Sequence, residues 1–241
     1  NIRFFGGVYG LEGERFEARR RFVLDMAGLH GREKTRTHSL AGGWKQRLAL
    51  GCAILHEPPI VFLDEPTGGV DPLSRREFWS LIDRLSSEGV TVLVTTHYLD
   101  EAEHCHRIAI MHAGRIAALG SAHDLKRRFA GRAIFEVRAD RPVDAMRLLD
   151  AMEDIEKTSI FGTAVHAVVQ KGRPLTHDDI AGRLSSNGLV VTSVHAVRPS
   201  LEDVFLDVVD ATDAVGPAQR MQAIHQFHGS QALTVERHGD A

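Results

Sequence analysis

Cysteine is nearly absent. Cys52 and Cys105 are the only two in 241 residues, and they form no C-x-x-C pair. That excludes a disulfide scaffold and fits a reducing compartment. Long apolar runs are missing too: none approaches the ~20 residues of a membrane-spanning helix. Neither sign of charge dominates, with 29 Lys and Arg against 32 Asp and Glu and a formal net charge of −3. That is too near neutral for a nucleic-acid binder driven by bulk charge, so no nucleic-acid partner is expected. The opening residues Asn1-Ile2-Arg3-Phe4-Phe5-Gly6 contain no initiator Met and no signal-peptide core, and they read as a start in mid-protein. Last, no G-x-x-x-x-G-K-[ST] phosphate loop occurs. The nearest stretch, "GLHGREKT" at 28–35, puts Glu33 before Lys34-Thr35, and a glutamate there would repel phosphate.

What remains is an ordinary globular composition, 43% apolar and 25% charged. Residues 15–29 carry Phe16, Phe22, Val23, Met26 and Leu29 at helical spacing. Gly42-Gly43 open a second helix with Trp44, Leu48, Cys52 and Leu55 on one side, stopped by Pro58-Pro59. Residues 60–63 form a short apolar run of the fully buried, parallel-strand kind. Asp71-Pro72 is an N-cap followed by proline at the first helical position, leading a helix with Phe78, Leu81, Ile82 and Leu85 on one face. Residues 91–95 (TVLVT) read as a second buried strand and 100–106 as a short helix. Residues 107–119 carry a hairpin signal around Ala113-Gly114. This alternation predicts an α/β layer with a parallel sheet.

The pattern changes after Gly131. Strands at 133–138, 155–160, 163–170 and 189–197 alternate with helices at 142–152 and 176–186. The resulting β-α-β-β-α-β order predicts a small ferredoxin-like sandwich. Ser200 caps a last helix carrying Leu201, Val204, Phe205 and Val208. Periodicity fades beyond Asp210. The expected division is therefore 1–130, 131–210 and a loose tail at 211–241.

The chemistry gathers in four short stretches. "IVFLDE" ends an apolar strand in adjacent carboxylates, Asp64 and Glu65. Ligands of open α/β sheets bind at such strand ends. There Asp64 could hold magnesium through a water, and Glu65 could orient or deprotonate an attacking water. A buried strand ending by chance in solvated acids is the plainer alternative. "SLAGGW" places two glycines at a helix start, where exposed amides and the helix dipole favour a phosphate; a glycine turn capping a core helix would look the same. "TTH" puts His97 just past the second strand, as a phosphate contact or as a satisfied strand-end histidine. Asp71 is a capping residue in its own right. His104-Cys105-His106 lacks the partners of a metal site. Lys126-Arg127-Arg128 with Arg132 reads first as a solvated basic face.

In order and spacing these pieces resemble the ATP-binding subunits of ABC transporters. "LAGGW" stands at that family's signature, "IVFLDE" at its Walker B strand and catalytic glutamate, "GGVD" at its D-loop and "TTH" at its switch histidine. "NIRFFGGVYGL" is similar to the start of its helical subdomain. The resemblance covers about residues 1–125. "RPSLEDVFLDV" at 198–208 resembles the closing segment of ABC-2-type exporter ATPases, and "GWKQRLAL" points to drug-exporter-like bacterial members.

The resemblance implies a partial P-loop NTPase layer with a helical subdomain, followed by the ferredoxin-like α+β domain. It implies ATP and Mg²⁺ as cofactors. The signature residues Leu40, Ala41, Gly42, Gly43 and Trp44 would face the γ-phosphate of an ATP held by a second ATPase subunit or half. Asp64 would serve magnesium, Glu65 the lytic water, His97 the γ-phosphate, and Asp71 the coupling between two sites. Ala41 stands where the family has serine and Trp44 where it has glutamine. One hydroxyl contact, of roughly 1.5–3 kcal/mol to a charged group, is thereby absent. The family's phosphate loop precedes the position of Asn1, so the resemblance implies a cradle upstream, and poor Mg·ATP binding by this chain alone. A membrane permease would be the partner and the cytoplasmic face of the membrane the location. A soluble non-transport ATPase, and a non-catalytic half that only completes a partner's site, are the alternatives.

Overall fold

The computed structural model describes residues 1–214. The chain packs as two compact units, Asn1–His104 and a second beginning at Cys105.

The first unit opens with α1 (Ile2–Val8) and α2 (Gly13–Ala27), followed by α3 (Gly42–Ala53), β1 (Ile60–Asp64), α4 (Pro72–Ser87), β2 (Thr91–Thr95) and α5 (Leu99–Ala102). Two glycines make its helix packing possible. A Cβ on Gly6 would lie 2.5 Å from the Phe16 ring, and one on Gly51 would lie 2.5 Å from Val23. α1 therefore meets α2 closely at Phe16, and α2 meets α3 closely at Val23, with Leu24, Leu48 and Cys52 packed in one cluster and Val23 with Leu55 in another. α4 starts at its Asp71 cap and buries Phe78, Trp79, Ile82 and Leu85; Trp79 takes the place expected of Leu81. The last helix of this unit is shorter than expected, ending at Ala102.

β1 and β2 pair in parallel, Ile60 opposite Thr91 through Asp64 opposite Thr95. Their burial differs from expectation. Val61 is 5% exposed, but Phe62 is 74% and Leu93 56% exposed. The apolar run carries the pattern of a strand covered on both faces, and the described residues cover one.

The second unit begins with a hairpin, β3 (Ile108–His112) and β4 (Arg115–Gly120). Ala113 and Gly114 turn it with φ of 48° and 74°, as a two-residue turn with positive φ at both central positions requires. After α6 (Ala122–Lys126) come β5 (Ile134–Ala139), α7 (Pro142–Asp150), β6 (Ile155–Phe161), β7 (Ala164–Val169), α8 (His177–Ser186), β8 (Val191–Val197) and α9 (Leu201–Ala214). The sheet runs β6-β7-β5-β8, antiparallel throughout. This is the expected ferredoxin-like order. One face packs Phe135, Val137, Val165 and Ala167 against Leu149, Ile180 and Leu184 of α7 and α8.

The opposite face sets buried Ile134, Ala164 and Val168 beside polar Glu136 and His166, and α9 lies on it. Ser200 caps α9 through Asp203. Asp203 in turn meets buried His166 of β7 at 2.9 Å. One turn on, Asp207 pairs with Lys157 at 2.7 Å and Arg128 at 3.0 Å. Arg132 reaches Glu156 at 2.6 Å. Arg128 and Arg132 are therefore internal partners and not a free solvated face. α9 runs to Ala214, past the expected end at Asp210; residues 215–241 of the expected tail lie outside the described residues.

Candidate functional site

The in-register parallel pairing decides what meets at the strand ends. It sets Asp64 beside Thr95, so the residues just beyond them, Glu65 and His97, converge at the carboxyl end of the sheet. The Thr95 hydroxyl donates to the Asp64 carboxylate. The Glu65 backbone N–H donates to the Thr95 carbonyl at 3.0 Å and lies 3.2 Å from its hydroxyl. That anchorage holds Glu65 at φ 41°, in the left-handed region. There its side chain turns to His97, whose Nδ1 lies 3.2 Å from Oε1. Both side chains stay more than half exposed. The His97 ring also lies against Tyr98, centroids 4.1 Å apart.

A second group forms around the glycines. Gly42 and Gly43 are the first residues of α3, with Ala41 at the N-cap. Their backbone N–H groups are among the donors that a helix start leaves without intrahelical partners. The two glycines differ. Gly42 is exposed, next to the Gly69 carbonyl. Gly43 is buried, and a Cβ there would lie 2.5 Å from Ser74 of α4. Close packing requires glycine at 43, whereas only 42 is open for an approaching ligand. Leu40 is buried with Leu48 and Cys52. The Trp44 ring is packed between cations, with the guanidinium of Arg32 4.3 Å and that of Arg47 5.4 Å from its centroid. Asp71 accepts the Ser74 N–H at 3.0 Å. The Ser74 backbone and hydroxyl hold its carboxyl below the usual aspartate range.

The structure thus gathers the nine candidates into two groups. Asp64, Glu65 and His97 meet at the strand ends; Leu40 to Trp44 sit at the start of α3, against the helix that Asp71 caps. It also adds residues that sequence reading passed over. Thr95 is one, and the strand register was the signal for it. Glu101, buried beneath the His97 loop, is another; its only mark in the sequence is a place one helical turn past His97.

Comparison with known families gives two matches. The ABC transporter model matches residues 6–68. The model described as ATP-binding protein DrrA1-3-like, C-terminal domain, matches residues 120–209. The chain is 50% identical over 130 residues to the probable multidrug ABC transporter ATP-binding protein YbhF of Escherichia coli, covering 54% of this chain but only 22% of that protein. It is 29% identical to the linearmycin resistance ATP-binding protein LnrL of Bacillus subtilis, over 88% of this chain and 69% of LnrL. It is 34% identical to the Nod factor export ATP-binding protein I of Cupriavidus pinatubonensis, over 86% of this chain and 61% of that one. A solved ATP-binding subunit of an ABC transporter aligns over 53% of this chain and 54% of its own, at 32% identity and a TM-score of 0.47. One model matches the segment that holds the glycine-led helix and the carboxylates, the other the ferredoxin-like sheet, and in both parts the chain is similar to the ATP-binding proteins of ABC transporters.

Proposed function

We propose that this chain belongs to an ATPase subunit that drives an exporter through a separate membrane permease, from the cytoplasmic face of the membrane. The observation that carries this reading is the Asp64–Thr95–Glu65–His97 arrangement at the carboxyl end of the parallel pair. Support for export in particular comes from the relatives, which are named for multidrug transport, linearmycin resistance and Nod factor export. No helix among the described residues is long and apolar enough to cross a membrane, so a permease would be a separate chain or segment.

The donor set fits Mg·ATP. Asp64 is an exposed carboxylate, a hard oxygen ligand of the kind magnesium takes. Gly42 offers an exposed backbone N–H at a helix start, where phosphate is favoured. Bound magnesium would offset the charge of the phosphates. Glu65 would orient a water and accept its proton. His97 would donate a hydrogen bond to a terminal phosphate oxygen. The segment Leu40 to Trp44 would present its open position, Gly42, to nucleotide held by a second ATPase subunit or half, with Leu40, Gly43 and Trp44 packed behind it, and Asp71 would fix the helix against which that segment rests.

The test is ATP hydrolysis by the intact protein with its membrane partner. Glu65→Gln is expected to lower kcat by ~10²–10⁴. Hydrolysis at the parent rate in that variant would refute the role of Glu65 and leave the chain as a donor of signature residues only.

A further inference from the structure

One buried acid in the first unit has no part in the reading above. Glu101 lies on α5, only four residues long, and is 2% exposed. Its Oε1 accepts the Thr67 hydroxyl at 2.5 Å, and its Oε2 accepts the Thr96 hydroxyl at 3.0 Å. The Nε of Arg75 stands 3.2 Å from Oε1. The Arg75 guanidinium also lies 4.1 Å from the centroid of the Tyr98 ring, and the Tyr98 N–H donates to Thr96 at 3.0 Å.

Each contact belongs to a different segment, and each segment carries a candidate site residue. Thr67 is two residues past Glu65. Thr96 immediately precedes His97. Arg75 is in the first turns of the helix that Asp71 caps. A buried ion pair is a poor source of stability, because desolvation offsets the attraction. What two hydroxyl hydrogen bonds and an ion pair on one buried carboxylate do supply is fixed geometry, since each partner defines a direction. We propose that Glu101 is a positioning residue that sets the separation of Glu65 and His97 and ties both to the start of α4. The inference rests on the ATPase reading for its catalytic consequence, and on the contacts alone for its structural one.

The test uses the intact protein and two independent readouts. In Glu101→Gln and in Thr96→Val, kcat for ATP should fall about tenfold to a hundredfold, as misplacement by about an ångström does. KM for ATP should stay within about twofold. Thr96→Ser, which restores the hydroxyl, should restore kcat. The double variant Glu101→Gln with Thr96→Val should be no slower than the worse single variant, because the two changes break one network. The second readout needs no hydrolysis: the NMR cross-peak between the His97 ring and the Glu65 side chain should vanish in Glu101→Gln. Retention of that cross-peak, or additive losses in the double variant, would overturn the proposal. Should the parent protein hydrolyse no ATP while the cross-peak still depends on Glu101, the ATPase reading fails and the positioning role stands. If Glu101→Gln does not fold, the Thr96 pair decides: equal rates in Thr96→Val and Thr96→Ser would reject the role.

Discussion

At the scale of single residues, Glu65 combines two demands that oppose each other. Its φ of 41° is a conformation that costs a non-glycine residue about 1–3 kcal/mol. Its carboxylate is what the site chemistry asks for. Glu65→Gly should therefore raise stability by about 1 kcal/mol while removing hydrolysis, a trade measurable by urea unfolding alongside an ATPase assay. Unchanged stability would mean that the neighbours relax the strain. Gly43 shows the converse. Gly43→Ala would push a Cβ to 2.5 Å from Ser74 and should cost about 1–3 kcal/mol, the usual penalty of overpacking. Gly42→Ala, with nothing nearer than 3.9 Å, should cost far less. The sequence revealed both glycines but not their difference, because the partner of Gly43 lies on another helix. Thr95 and Glu101 escaped for a related reason. Threonine in a strand and glutamate in a helix are ordinary residues, and only the strand register and the burial of α5 give them roles.

At the scale of elements, α9 is held by charge as much as by its apolar stripe. Burial alone would lower the pKa of His166, but the hydrogen bond and charge of Asp203, joined by Glu136, outweigh it and raise the value above the ordinary 6.5. Burial would raise Asp203, yet the His166 bond and the Ser200 donors outweigh it and hold that carboxyl below 3.8. A raised histidine gives stability that is complete below its unfolded pKa and is lost as pH rises through the folded one. A depressed aspartate gives stability that is lost as pH falls through its folded value. Together they favour the second unit between about pH 4 and 6.5. Its melting temperature should decline from pH 6 to 8, and His166→Gln should flatten that decline; an unchanged slope would exclude the pair as its source. Facing this histidine are Glu136 on β5, with His195 of β8 opposite Glu136, and the Phe161 ring, stacked 4.1 Å away. The order of strands and helices in this unit was readable from alternation and turn residues. The ion pairs were not. Asp207 finds Arg128 and Lys157 from 79 and 50 residues away, and a run of basic residues carries no mark of its distant partner. α1 was equally hidden, since its Gly6-Gly7 pair is poor helix sequence and Gly6 is held against Phe16.

At the scale of the whole molecule, two compact units with separate cores predict two unfolding transitions and not one. Calorimetry should resolve them. Gly51→Ala, which drives a Cβ into Val23, should lower one transition, and His166→Gln should move the other. A single transition shifted by both variants would show that the units unfold together. Which of the two transitions an optical probe can see is already determined. Trp44, Trp79, Tyr9 and Tyr98 are all the tryptophans and tyrosines of the chain, and all lie in the first unit. Its indole and phenol emission will follow that unit alone, leaving the ferredoxin-like half dark above 300 nm. Trp44, packed beside two guanidinium groups at the start of α3, is then a native fluorophore on the glycine-led helix. Replacing Trp79 by phenylalanine would isolate its signal, so that events at that helix could be followed by emission without attaching any label.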